Sequence, residues 1–169
     1  MSPYEPLPLP RARRIGILLA ALFCCAAASV ACAAPAPVHA PGALVAVGDY
    51  ALHIDMVRPA NDEVHAASRF NPPPAPGKEY VQTFVSIECN AERCRVAPER
   101  FTIRDQSGAV FEPRQLDLDG DALVAIQLSR GDSLARRTLV FEVNAGAQNL
   151  RLVHRAGILF GPETTFAVP

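Results

Sequence analysis

A Gly-Asp-Ser-Leu motif in this chain of 169 residues could, in principle, support ester hydrolysis. Residues 131–134 spell the signature of a lipase and esterase family in which the serine, here Ser133, is the nucleophile. Such a hydroxyl needs a base and an oxyanion donor nearby, and His154 lacks the Asp-x-x that precedes the histidine in those enzymes. The sequence therefore favours a turn before a strand, with a soluble periplasmic hydrolase as the alternative.

A short acidic stretch resembles the start of a calcium-binding loop. Asp117, Asp119 and Asp121 occupy the first, third and fifth positions of an EF-hand pattern. However, Ala122 stands where the pattern has glycine, and Leu128 stands where it has the bidentate glutamate, so the sharp turn and two oxygen ligands are missing. We interpret the stretch as a solvated acidic loop and keep the three aspartates as candidates for a looser calcium site.

A histidine and a methionine in one predicted strand raise the alternative of a metal-binding carrier. His53 and Met56 are residue types that bind copper. Alternation along the strand predicts that Met56 lies on the core face while His53 points outward, which separates the two side chains. The sequence therefore calls for no metal and no other cofactor.

Five cysteines divide into an N-terminal group and a later pair. Cys24 and Cys25 lie in the apolar N-terminal stretch, and Cys32 ends it. Cys89 and Cys94 remain, separated by four residues and each next to an extended run. Facing residues of a β-hairpin have the Cα separation that a disulfide needs. We predict a structural disulfide between Cys89 and Cys94 across a hairpin.

The N-terminal segment has the pattern of an export signal. Three arginines precede residues 15–34, which contain no charged side chain. Small residues at positions 28–31 lead up to Cys32, as in bacterial lipoproteins, although Ser29 replaces the usual leucine. We predict a signal peptide over residues 1–31, lipidation of Cys32 and an Ala/Pro-rich tether over residues 32–42. The alternative is ordinary cleavage, with a mature chain that begins at Ala34.

The charge balance excludes two classes of partner. The formal net charge is −1, and 20% of the residues are charged. Neither value provides the basic surface that nucleic acid or an anionic membrane surface attracts. Any attachment to a membrane is therefore expected to depend on the lipid at Cys32.

Alternation of apolar and polar residues, a period of two, dominates the rest of the chain. Such alternation runs through residues 50–56, 80–89, 101–105, 139–143 and 150–154, and Phe84 on the second face of its run indicates a central strand. Residues 110–113 are expected to form the second strand of a short hairpin, and residues 123–128 form a further apolar run. No helical period is sustained, and residues 59–78 and 114–122 are expected to be irregular. This pattern predicts an all-β sandwich of about seven to nine antiparallel strands over residues 43–158, followed by a C-terminal extension over residues 159–169.

The order of strand and turn motifs resembles a known family. The motifs are Val47-Gly48-Asp49-Tyr50, Gly77-Lys78-Glu79-Tyr80-Val81, Ile87-Glu88-Cys89-Asn90, Arg104-Asp105-Gln106-Ser107-Gly108 and Ser129-Arg130-Gly131-Asp132-Ser133. Over residues 45–155 they are similar to the immunoglobulin-like domains of unknown function in the bacterial immunoprotective extracellular protein superfamily. The resemblance implies a secreted or lipid-anchored sandwich and carries no catalytic residues. The pair Cys89 and Cys94 is not typical of most members.

Together these patterns predict a monomeric, non-catalytic binding or structural module in the cell envelope. We expect its place to be the periplasm or the outer membrane. Its partner is expected to be an envelope protein or a surface ligand, and the sequence does not identify either one.

Overall fold

Strands make up most of the computed structural model, which describes residues 36–157 and 161–168. In chain order these residues contain β1 (Val38–His39), β2 (Leu44–Val47), β3 (Tyr50–Pro59), the helix α1 (Asn61–Ala67), β4 (Lys78–Cys89), β5 (Arg93–Val96), β6 (Phe101–Arg104), β7 (Val110–Phe111), β8 (Pro113–Arg114), β9 (Ile126–Ser129), β10 (Ser133–Asn144), β11 (Arg151–Arg155) and β12 (Glu163–Ala167). The 3-10 turn Pro98–Arg100 precedes β6. Several of these strands have only two residues, which is why the segments outnumber the seven to nine strands expected.

Two five-stranded sheets pack face to face and form a β-sandwich. The first sheet has the order β2-β3-β4-β10-β8, and the second has the order β1-β12-β11-β6-β7. Their inner faces supply the apolar core, because alternate residues of each strand point to the same side. Residues from both sheets are almost completely buried there, among them Leu52, Val85, Phe101, Phe141, Leu152 and Phe166. The all-β immunoglobulin-like sandwich expected from the sequence is confirmed.

The longest strands lie at the centre of the first sheet. β4 pairs antiparallel with β3 on one side and with β10 on the other. Its inward residues are buried, whereas Phe84 points to the outer face and is partly exposed. This agrees with the central position expected for the strand.

The sandwich extends beyond residues 43–158 at both ends, which corrects the predicted boundaries. β1 lies inside the predicted tether and pairs in parallel with β12, whose residues were expected to form an extension. β12 pairs in turn with β11, and its Phe166 is fully buried in the core. Strand β12 was not predicted from the sequence, because a single large apolar side chain, Phe166, after two threonines gives only a weak alternation.

A short helix corrects the expectation that residues 59–78 are irregular. α1 spans seven residues, which is too short for a helical period to stand out. Its Val64 is buried against the outer face of the first sheet, together with Ala60, Tyr80, Leu118 and Val140. In the part of the chain that the structure describes, no helix is long and apolar enough to cross a membrane.

The two predicted cysteines are joined, but the strand pairing around them differs from a hairpin. Cys89 and Cys94 form a disulfide with Cα atoms 5.7 Å apart. β5, which carries Cys94, pairs with β9 and forms a separate two-stranded sheet with it. The three residues between β4 and β5 redirect the chain away from β4. The disulfide therefore attaches this small sheet to the central strand of the first sheet.

Candidate functional site

Two β-bulges lie on opposite sides of β4 at nearly the same height. In β3, Asp55 is the extra residue, because its two neighbours pair with consecutive residues of β4. In β10, Ala135 and Arg136 together lie opposite Ser86 alone. Bulges redirect side chains and are common beside functional sites. This irregular region on the outer face of the first sheet is the candidate site.

The hydroxyl of Ser86 connects both bulges. It donates a hydrogen bond to Oδ2 of Asp55 at 2.9 Å and accepts one from the backbone N–H of Arg136 at 3.0 Å. Arg136 has a φ of 49°, in the left-handed region that residues with a Cβ seldom adopt. Ser86 therefore holds an unfavourable backbone conformation in place.

His53 completes a row of three polar side chains. Its Nδ1 lies 3.2 Å from Oδ1 of Asp55, on the other side of the carboxylate from Ser86. A nucleophilic serine would have to give its proton to the histidine, but here its hydrogen bond goes to the carboxylate between them. The order serine, aspartate, histidine therefore suits the orientation of polar groups and not the activation of a nucleophile.

An aromatic ring, that of Phe84, lies next to this row and contacts two guanidinium groups. The guanidinium carbons of Arg58 and Arg136 lie 5.6 and 5.3 Å from the ring centroid of Phe84. The two arginines come from β3 and β10, on opposite sides of β4, and both distances fit cation–π contacts. Arg58 also lies 3.6 Å from Glu63 of α1.

We call His53, Asp55, Phe84, Ser86 and Arg136 the bulge site. Its members are half-buried or exposed, because α1 covers the outer face only around Tyr80 and Val140. The arrangement offers an aromatic surface, guanidinium donors and a fixed carboxylate to a ligand. Among the residues that the structure describes, no three His, Cys, Asp or Glu side chains group closely enough to hold a metal ion.

Sequence alternation placed Phe84 on the outer face of a central strand, but it did not bring the other four residues together. The alternation also predicted Met56 on the core face. The bulge at Asp55 shifts the register, so residue 56 pairs with Phe84 and Val57 becomes the next core residue. The side chain of Met56 lies outside what the structure describes.

The Gly-Asp-Ser-Leu motif begins in a turn bonded to the backbone of Cys89 and continues into β10. The backbone N–H of Gly131 donates to the Cys89 carbonyl, and the Cys89 N–H donates to the Asp132 carbonyl, both at 2.9 Å. The Asp132 carboxylate accepts a hydrogen bond from the backbone of Ser129 at 2.8 Å. Ser133 is the exposed first residue of β10 and not part of the turn itself, and the described residues include no histidine bonded to its hydroxyl.

The acidic motif is fixed by its backbone, and its carboxylates do not converge. The amide side chain of Asn71 bonds both the N–H and the carbonyl of Asp117, while the carbonyl of Asp121 accepts from Thr138. Asp119 lies between them with a φ of 52°. The three aspartates are exposed, and the structure does not bring them together as metal ligands.

The remaining predicted features lie at the N-terminus. The predicted signal peptide over residues 1–31 and the lipidation residue Cys32 lie outside the residues that the structure describes. Of the predicted tether, the structure describes residues 36–42, which include β1.

The chain matches no protein-family model and no curated protein sequence. Solved structures of bacterial proteins share its fold. A "putative lipoprotein", ycdA of Bacillus subtilis, has a TM-score of 0.58 and 13% identity over 74% of this chain and 38% of its own. The yjhA protein of the same species has a TM-score of 0.57 and 13% identity over 78% of this chain and 100% of its own.

The secreted protein MPT63 of Mycobacterium tuberculosis has a TM-score of 0.56 and 11% identity, with 80% of this chain and 98% of its own covered. This chain thus spans well under half the length of ycdA, but nearly all of yjhA and MPT63. These identities are low, so the similarity establishes an immunoglobulin-like β-sandwich and nothing finer.

Proposed function

We propose that this chain is an exported, non-catalytic immunoglobulin-like module that binds a component of the cell envelope through the bulge site. A lipid on Cys32 would hold it at the membrane surface. The module would belong among the domains of unknown function of the bacterial immunoprotective extracellular protein superfamily.

The observation that carries the proposal is the hydrogen bond from the Ser86 hydroxyl to the Asp55 carboxylate. This bond engages the hydroxyl proton of Ser86 with the Asp55 carboxylate. Together with the bond from the Arg136 N–H, it links the two bulges in a defined geometry. A fixed polar row beside a partly exposed aromatic ring is suited to recognition, because few side chains remain to be ordered when a ligand binds. The descriptions of two structural neighbours, a "putative lipoprotein" and a secreted protein, are consistent with export.

Binding to envelope components tests the proposal. The full chain carrying Cys32→Ser, so that it is free of lipid, is immobilised and exposed to envelope extract. Arg136→Gly removes the guanidinium while glycine adopts the same positive φ without strain. The matched control is Asp119→Gly, which relaxes another left-handed residue away from the bulge site.

We expect the immobilised protein to retain an envelope component. The Asp119→Gly variant should retain it as well, whereas the Arg136→Gly and Phe84→Ala variants should not. Equal retention by all variants would contradict the bulge site as the binding surface. Hydrolysis of ester substrates that disappears in Ser86→Ala or Ser133→Ala, with the protein still folded, would contradict the non-catalytic reading.

A further inference from the structure

The outer face of the second sheet contains a groove of about 590 Å³. Its floor and rim are formed by outward residues of β1, β11 and β12, with the turn after β6 at one end. The apolar wall consists of Val38, Val153 and Ala167, and the polar wall includes Arg104 and Arg151. Its volume falls in the range of small-molecule sites, about 300–1,000 Å³.

An ion pair that crosses β11 shapes the floor. Arg104 of β6 and Glu163 of β12 lie on opposite sides of β11, and their side chains meet at 2.8 Å. Glu163 bonds Arg155 at the same distance with the same oxygen atom. Val153 lies between them on the outward side and is only 3% exposed. The groove therefore has a packed apolar base.

Positive charge is left uncompensated at one end of the groove. Arg104 and Arg151 are directly paired across β6 and β11, a placement in which like charges repel. Arg104 and Arg155 share the single carboxylate of Glu163, and no described carboxylate forms an ion pair with Arg151. Asp105, the acidic residue among those that line the groove, accepts hydrogen bonds from the backbone N–H groups of Ser107 and Ala109 in its own turn.

We propose that this groove binds a small amphipathic anion. The anionic oxygens, of a carboxylate or a phosphate, would pair with Arg151, and the apolar body would lie against Val38 and Ala167, above the packed Val153. A bound anion would relieve the repulsion between Arg104 and Arg151 and cover apolar surface at the same time. This site goes beyond the proposed function, because it lies on the opposite sheet from the bulge site.

Titrations followed by NMR test the proposal on the full chain with Cys32→Ser. The probes are octanoate and octyl phosphate, with octanamide lacking the charge and acetate lacking the apolar body. We expect both amphipathic anions to shift the amide signals of β1, β11 and β12. Octanamide and acetate should bind at least about tenfold more weakly, which corresponds to about 1.4 kcal/mol. The stronger of the two anions identifies the preferred head group.

Arg151→Gln should weaken the binding of octanoate and octyl phosphate until it is no tighter than that of octanamide. The matched control is Arg95→Gln, which removes an exposed arginine from β5, a strand of a different sheet that does not line the groove. Acetate or octanamide binding as tightly as octanoate would overturn the proposal. Signal changes outside the groove, or equal losses in the two arginine variants, would overturn it as well.

Discussion

The hydroxyl oxygen of Tyr50 lies 2.5 Å from Nε2 of His154, and this hydrogen bond joins the two sheets through the core. Tyr50 belongs to β3 of the first sheet, His154 belongs to β11 of the second, and both are buried. Burial raises the pKa of the Tyr50 phenol, so it stays protonated and can donate. Burial, together with the positive charge of Arg100, lowers the pKa of His154 to about 4, so its imidazole is neutral at pH 7.

We predict that His154 makes the fold sensitive to mild acid. Its pKa is about 4 in the folded chain and about 6.5 when exposed. Between these pH values His154 is therefore protonated in the unfolded chain and neutral in the folded chain. The contribution of neutral His154 to the free energy of unfolding is complete above about pH 6.5 and is lost progressively as the pH falls to about 4. The total loss is about 3 kcal/mol. Urea unfolding at several pH values measures it.

The matched variants for this experiment are Tyr50→Phe/His154→Phe and His65→Gln. The double variant removes both ends of the buried hydrogen bond and should flatten the stability curve between pH 6.5 and 4. His65→Gln removes an exposed histidine of α1 and should keep the wild-type slope. An unchanged slope in the double variant would show that His154 is not the group responsible.

The disulfide should stabilise the small sheet more than the rest of the fold. Cys89→Ser/Cys94→Ser should cost about 2 kcal/mol, the value of the loop-entropy model for so short a loop. Because the bond attaches β5 and β9 to β4, amide exchange should increase in β9 more than in β11. Reduction of the wild-type protein should reproduce the effect. Uniform acceleration across both sheets would speak against this local role.

Asn71 should be essential for the position of α1 and of the acidic loop. Its Nδ2 donates to the carbonyls of Val64 and Asp117 at 2.8 and 2.7 Å, and its Oδ1 accepts from the Asp117 N–H at 2.9 Å. Asn71→Ala leaves these backbone groups without a partner and should cost about 2–3 kcal/mol in chemical denaturation. Asn90→Ala, at an exposed position, is the control and should change stability by less than about 0.5 kcal/mol.

Lipidation of Cys32 predicts that the protein fractionates with membranes. The acyl chains would each bury many methylene groups at about 0.8 kcal/mol apiece, which makes attachment stable. Cys32→Ser should move the protein to the soluble exported fraction, and mass spectrometry of the N-terminal peptide should detect the acyl groups only in the wild type. Soluble wild-type protein that begins at Ala34 without an acyl mass would end the lipoprotein hypothesis.

The fold could be predicted from sequence because period-two alternation reports directly on sheets with one buried face. Strands such as β4 and β11 follow this alternation along most of their length. Leu152 and His154 are alternate residues of β11, and both side chains point into the core. The alternation did not indicate that His154 would find a partner in Tyr50. That pairing depends on how two sheets pack, which no local pattern records.

The candidate site was harder to predict for a related reason. A bulge is one extra residue relative to the neighbouring strand, and the residues around Asp55 and Arg136 are not unusual in composition. Only the pairing of β3, β4 and β10 reveals that Ser86 lies between two such insertions. The conspicuous motifs, by contrast, proved to be turns and loops held by backbone hydrogen bonds.

The pairing of β1 with β12 has a consequence for how the protein tolerates proteolysis. β1 covers the outer edge of β12, and with two residues it is too short to serve as a template for another chain. A protease that cut between β1 and β2 would release this cover and leave the backbone N–H and carbonyl groups of β12 without their parallel partner. The cleaved domain would then expose an unpaired strand edge, so cleavage between β1 and β2 would promote self-association.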